Sequence, residues 1–141
     1  MEKIEQLFTF IDSAAGSVQE AENVSYLEGV LVALNGWLDG EHVPEGEWDR
    51  NDIRKGIQLA LLKGMRESAQ VNHQMTPDSL GLLVGYLVEQ FFEESLMKKE
   101  TITMLDPAVG TGNLLLTVMN LIGDQITGAG VELDDLLIQL A

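Results

Sequence analysis

The sequence contains no cysteine, which excludes disulfides, thiolate nucleophiles and cysteine-ligated metals and is compatible with a reducing compartment. Basic residues are scarce, 8 against 23 acids, giving a formal charge of −15. A surface of that sign repels phosphate backbones, so this chain by itself is expected to bind DNA weakly if at all. No apolar run approaches the about 20 residues that a membrane span requires. Acidic Glu2 and Glu5 stand where a secretory signal would carry its basic stretch. These absences predict a cytoplasmic protein with no membrane partner.

The acidity is uneven. Residues 1–52 hold 12 acids and two bases, whereas residues 53–75 hold four bases and one acid. Those four, Arg54, Lys55, Lys63 and Arg66, read as a solvated face that pairs with the acidic helices, with DNA contact as the alternative. His42 and His73 have no Cys, His or acidic residue at metal-site spacing and read as surface histidines, so no metal is predicted. Trp37 and Trp48 read as anchors of helix packing.

Apolar residues recur at intervals of three and four through Ile4, Leu7, Phe8, Ile11 and Ala15, and again through Val24, Leu27, Val30, Leu31, Leu34, Trp37 and Leu38. This spacing predicts two amphipathic helices, the second ended by Gly40 in a left-handed conformation. A third helix is predicted from a cap at Asp49 or Asn51 through Met65. Gly56 and Gly64 weaken it by roughly 1 kcal/mol each unless they permit close packing. Thr76-Pro77-Asp78-Ser79 combines a hydroxyl cap, a first-turn proline and an acid near the positive end of the helix dipole. The stripe Leu80, Leu83, Val84, Leu87, Val88 and Phe91 follows it.

After Lys98 and Lys99 the pattern changes. Thr101-Ile102-Thr103-Met104-Leu105 is short, apolar and β-branched, and predicts a buried strand ending at Asp106-Pro107. A helix over 113–122, a strand over Ile126 to Glu132 and a further element from Leu133 complete the reading. The last element has helical spacing and no stop signal, which predicts a truncated protein. The fold class is therefore α/β: a helical amino-terminal domain over 1–75, then the opening β-α-β part of a parallel sheet over 76–141.

In such a unit the first loop lies over the carboxyl ends of the strands, where a ligand reaches the backbone only if side chains are small. Gly110 and Gly112 provide that gap, and Glu132, 20 residues past Gly112, can accept hydrogen bonds from ribose hydroxyls. Position 115 is leucine where a dinucleotide fingerprint needs its third glycine. No lysine or arginine occurs from 101 to 141, so a P-loop is excluded as well. A phosphate-free nucleoside that carries an ammonium and a carboxylate fits what remains, and Asp106 can meet the ammonium.

Asp106-Pro107-Ala108-Val109-Gly110-Thr111-Gly112-Asn113-Leu114 resembles the cofactor loop of class I S-adenosylmethionine-dependent methyltransferases, specifically the N6-adenine DNA type with Asp-Pro-x-x-Gly-x-Gly. Gln74-Met75-Thr76-Pro77 and Gly130-Val131-Glu132-Leu133-Asp134 resemble two further segments of that family. The resemblance implies a Rossmann-like sheet and S-adenosylmethionine as cofactor. It places Asp106, Pro107, Ala108, Gly110, Gly112 and Asn113 around the methionine end, Thr76 beside it, Glu132 on the ribose and Leu133 against the adenine. The helical region resembles the amino-terminal domain of bacterial modification-subunit-like enzymes in helix content alone.

The family's catalytic motif, Asn or Asp followed by Pro-Pro and an aromatic, is not in this sequence, which has no Pro-Pro pair. No catalytic residue is therefore assigned, and this stretch alone is expected to be inactive. DNA is the partner implied for the full-length protein, and self-association through an exposed sheet is expected of a two-stranded piece. Simpler readings stay open: a ligand-free turn at 106–113, a plain helix cap at Thr76, a solvated acid at Glu132. So do a helical interaction module with a vestigial loop and a methyltransferase whose acceptor is RNA or protein.

Overall fold

Leu7, Ile11 and Ala15, each at most 1% exposed, line one side of α1 (Glu2–Glu22) as the three-and-four spacing predicts. They pack against α2 (Tyr26–Leu38) and α3 (Arg50–Glu67). The computed structural model describes residues 2–68 and 74–141 and divides into two units, Met1–Gln74 and Met75–Ala141. His73 lies outside the described residues.

Both later helices of the first unit start on reciprocal caps. The N–H of Glu28 donates to the Ser25 hydroxyl while the Ser25 N–H donates to the Glu28 carboxylate. Asp49 and Asp52 repeat the device at α3. On α3 a Cβ at Gly56 would sit 2.8 Å from Leu7 Cγ, and one at Gly64 2.5 Å from Leu27 Cδ2. Close packing thus offsets the helix penalty of these glycines. Trp37 meets Phe10 edge to face, with centroids 6.5 Å apart.

A polar seam joins the three helices. Asp12 on α1 accepts from the Tyr26 hydroxyl and, at 2.6 Å, from the Lys63 ammonium, which lies 4.6 Å from the centre of the Tyr26 ring. Lys63 therefore pairs with an acidic helix, as its place in the basic group predicts. Burial and the Asp12 carboxylate together hold the Tyr26 phenol above its ordinary range. His42 is exposed.

The second unit comprises α4 (Asp78–Phe91), α5 (Glu93–Met97), β1 (Ile102–Asp106), α6 (Asn113–Ile122), β2 (Ile126–Gly130) and α7 (Asp135–Leu140). β1 and β2 pair in parallel, in register from Ile102 opposite Ile126 to Asp106 opposite Gly130. Ile102, Val118 and Ile126 form the centre of the core, with Val84, Val88 and Ile122 packed around it. The chain is α/β, a helical amino-terminal region followed by a β-α-β unit. No described helix is long and apolar enough to cross a membrane.

Several local expectations need correction. The helix start at Thr76 is displaced: Pro77 is the N-cap and no side chain caps it. The Pro77 carbonyl takes the N–H groups of Leu80 and Gly81, and the Thr76 carbonyl is bound elsewhere. The buried face of α4 is Gly81 and Gly85 with Val84 and Val88 half-buried, while Leu80, Leu83 and Leu87 are 46%, 53% and 43% exposed. Leucines on all sides of α4 leave periodicity unable to select a face, and the glycine side wins because it lets α4 approach α6 closely. Leu38, at the last turn of α2, is 85% exposed rather than part of the stripe. β2 stops at Gly130, before Glu132, and the short α5 had no sequence signal.

The burial contrast along the predicted stripes has a measurable outcome. Leu7→Ala should lower the stability of the helical unit by about 2–5 kcal/mol, since it opens a cavity in a close-packed site. Leu38→Ala should cost less than about 0.5 kcal/mol. Urea unfolding followed by circular dichroism checks both, and similar costs for the two would contradict the assigned core.

Candidate functional site

Parallel pairing brings the ends of β1 and β2 side by side, and backbone hydrogen bonds continue beyond the strands. The Val131 N–H donates to the Asp106 carbonyl and the Val109 N–H to the Val131 carbonyl, each at 2.9 Å. Asp106 and Glu132, 26 positions apart in sequence, are thereby placed at one end of the sheet.

Between β1 and α6 the chain turns tightly. Asp106, 8% exposed, accepts the Ala108 N–H on Oδ1 at 3.0 Å, an Asx turn that folds Pro107 and Ala108 back over the strand end. Gly110 (φ +55°) and Gly112 (φ +79°) are both left-handed, a conformation that residues with a Cβ adopt at a cost. A Cβ added to Gly110 would meet nothing within 4 Å, so this side of the loop faces open space. Gly112 also caps α6, whose first-turn N–H groups look toward the same loop.

Glu132 does more than stand near the loop. Its Oε2 accepts the Gly110 N–H at 2.9 Å, and its Oε1 accepts the N–H groups of Leu133 at 2.7 Å and Asp134 at 3.0 Å. The carboxylate thus ties the glycine loop to the segment after β2. Hydrogen bonds from the Asp134, Leu133 and Gly110 amides hold its pKa below the ordinary glutamate value. A carboxylate has about four lone-pair sites, so one acceptor position is left beyond these three bonds. Leu133, 97% exposed, presents an apolar side chain beside it. Asp134 accepts from the Leu136 and Leu137 N–H groups and caps α7.

Asn113 is buried at the start of α6. Its amide Nδ2 donates to the Thr76 carbonyl at 2.7 Å and to Asp78 Oδ1 at 3.2 Å. Thr76, half-buried, is therefore held beside the glycine loop through its backbone. All nine predicted residues, Thr76, Asp106, Pro107, Ala108, Gly110, Gly112, Asn113, Glu132 and Leu133, belong to the loop or to the two segments hydrogen-bonded to it. Asp78, Val109 and Val131 join them without a motif in the sequence that marks them as site residues. Their roles come from pairings over 22 to 35 positions that no local motif announces. Among the described residues, no cluster of three or more His, Asp or Glu could hold a metal ion.

No family model matches the chain. It is 44% identical over 97 residues to the uncharacterized protein YtxK of Bacillus subtilis, a stretch covering 68% of this chain and 28% of YtxK. It also superposes, with a TM-score of 0.85 and 41% identity, on a crystal structure from Listeria monocytogenes of a protein provisionally assigned to the class I S-adenosylmethionine-dependent methyltransferases. That match covers 99% of this chain and 48% of the other. The chain therefore spans about half the length of its solved relative and less than a third of YtxK.

The Glu132 contacts set a pH dependence. Because its folded pKa is depressed, its bonds to the loop are fully present above the unfolded glutamate pKa and are lost as pH falls through the folded value. The Gly110 amide proton shift should titrate with an inflection below the ordinary glutamate value. In Glu132→Gln, which loses the charge and one acceptor, the inflection should vanish. A Gly110 shift that is flat in the wild type would mean the contact is not formed in solution.

Proposed function

We propose that this chain carries the cofactor cradle of an S-adenosylmethionine-dependent methyltransferase whose acceptor is the N6 amine of adenine in DNA. One observation carries the reading: a strand-end loop opened by two left-handed glycines, with a buried acid at one end and a second acid reaching it from the segment that follows β2. The likeness at 41% identity to the Listeria protein, itself provisionally assigned to the class I methyltransferases, supports the same kind of activity.

The residues present fit the group. Asp106 uses Oδ1 on the Ala108 N–H, which leaves its other oxygen for the ammonium of the methionine end. The open side of Gly110 admits a ligand to the backbone, and the remaining acceptor position on Glu132 suits a ribose hydroxyl. Leu133 can cover one face of the adenine. When bound, the cofactor supplies an electrophilic methyl on sulfur, while these groups orient it and counter its charge. The amine-holding motif of the family does not occur in these 141 residues, and no step of the transfer is assigned to them.

The acceptor is the one implied by the resemblance of the Asp-Pro-x-x-Gly-x-Gly loop to that of N6-adenine enzymes. The charge of −15 favours a second reading in which the same cradle serves a protein acceptor, since this surface repels polyanions.

Calorimetric titration of S-adenosylmethionine into the intact protein tests the cradle. Asp106→Asn keeps an acceptor for the Ala108 N–H and removes the charge, and should weaken binding by about tenfold or more, equivalent to about 1.4 kcal/mol. Unchanged affinity would remove Asp106 from the site. For the acceptor, protein supplied with methyl-labelled cofactor and unmethylated DNA should place label in N6-methyladenine after nuclease digestion. Label found only in protein would favour the second reading.

A further inference from the structure

Asn113 reads from sequence as a residue of the cofactor loop, and in the structure its side chain is buried and bonded to another segment. Both donors of its amide are spent on one short segment: the Thr76 carbonyl at 2.7 Å and Asp78 Oδ1 at 3.2 Å. The neighbouring turn reinforces the junction. The Thr117 hydroxyl donates to the Asn113 carbonyl at 2.7 Å, and Thr117 is also the residue against which Gly81 packs, where an added Cβ would lie 2.8 Å from Thr117 Cβ.

Pro77 is the N-cap of α4 and supplies no side-chain cap of its own. A capping side chain on α4 itself would have fixed only the helix end. The bonds from Asn113 instead fix that end to the residue immediately after Gly112.

Resting on the cofactor reading above, we propose that Asn113 is a positioning residue that fastens the Thr76–Asp78 segment to the glycine loop, so that the two grip the nucleoside ligand as one piece. An unfastened segment would have to be ordered during binding, and that cost would appear as lost affinity with little change in the fold. Asn113 then acts through Thr76 and the loop and does not itself touch the ligand.

Amide hydrogen exchange of the intact protein, with S-adenosylhomocysteine titration on the same preparations, tests this. Asn113→Asp keeps the size of the side chain, suits the first turn of a helix, and replaces both donors with a carboxylate facing Asp78. Exchange over residues 76–81 is expected to rise by about tenfold while β1 and β2 stay protected, and affinity is expected to fall by about tenfold. Adding Asp78→Asn restores one donated bond, now from position 78 to position 113, and should recover much of the affinity. A rescue of that kind is not expected of a residue that merely fills space.

Should Asn113→Asp fail to fold, Asp78→Ala removes one of the two bonds at a half-buried helix start and should show the same changes at roughly threefold. Unchanged exchange in these variants, or faster exchange with unchanged affinity, overturns the proposal while leaving the cofactor reading intact. A wild type that binds neither S-adenosylhomocysteine nor S-adenosylmethionine overturns both.

Discussion

Two backbone hydrogen bonds just past the paired strands, Val131 N–H to the Asp106 carbonyl and Val109 N–H to the Val131 carbonyl, govern the geometry of the candidate site. Parallel register has already set Asp106 opposite Gly130, and these bonds hold the chain alongside for one more step before each segment turns away. The glycine loop then turns at the strand ends with the Gly110 N–H donating to Glu132. Without this extension the carboxylate of Glu132 would have no reason to lie within hydrogen-bond distance of Gly110.

The site is assembled by groups that spend part of their bonding capacity on the protein itself. Asp106 holds the turn with one oxygen, and Glu132 holds the loop and its own following segment with both. Such preorganisation means that a ligand meets carboxylates already oriented, and little side-chain entropy is lost on binding. It also means that a substitution at either acid perturbs loop shape together with the charge that the site presents. A variant that keeps an acceptor and removes charge separates those two effects.

The helical unit obeys different rules. Its core rests on aliphatic side chains of α1 and α2 meeting glycines of α3, with a polar seam of Asp12, Tyr26 and Lys63 crossing all three helices. That seam consumes one of the four basic residues of the 53–75 segment, which weakens the case for that group as a free nucleic-acid face.

The sequence by itself determined the order and type of most elements, because three-and-four spacing, a β-branched run and glycines at positions 110 and 112 are local consequences of helix, strand and turn geometry. It also pointed to the loop and its partner acid, since a strand-end glycine pattern carries its meaning in adjacent residues. Tertiary structure alone decided which face of α4 is buried. Leu80, Leu83 and Leu87 are as apolar as any core stripe, and only the approach of α6 shows that Gly81 and Gly85 form the contact. It alone showed that Asn113 bonds to Thr76 and Asp78 and that Glu132 bonds to Gly110. These pairs are separated by 22 to 37 residues, and a hydrogen bond across such a distance exists only once the chain has folded the two ends together.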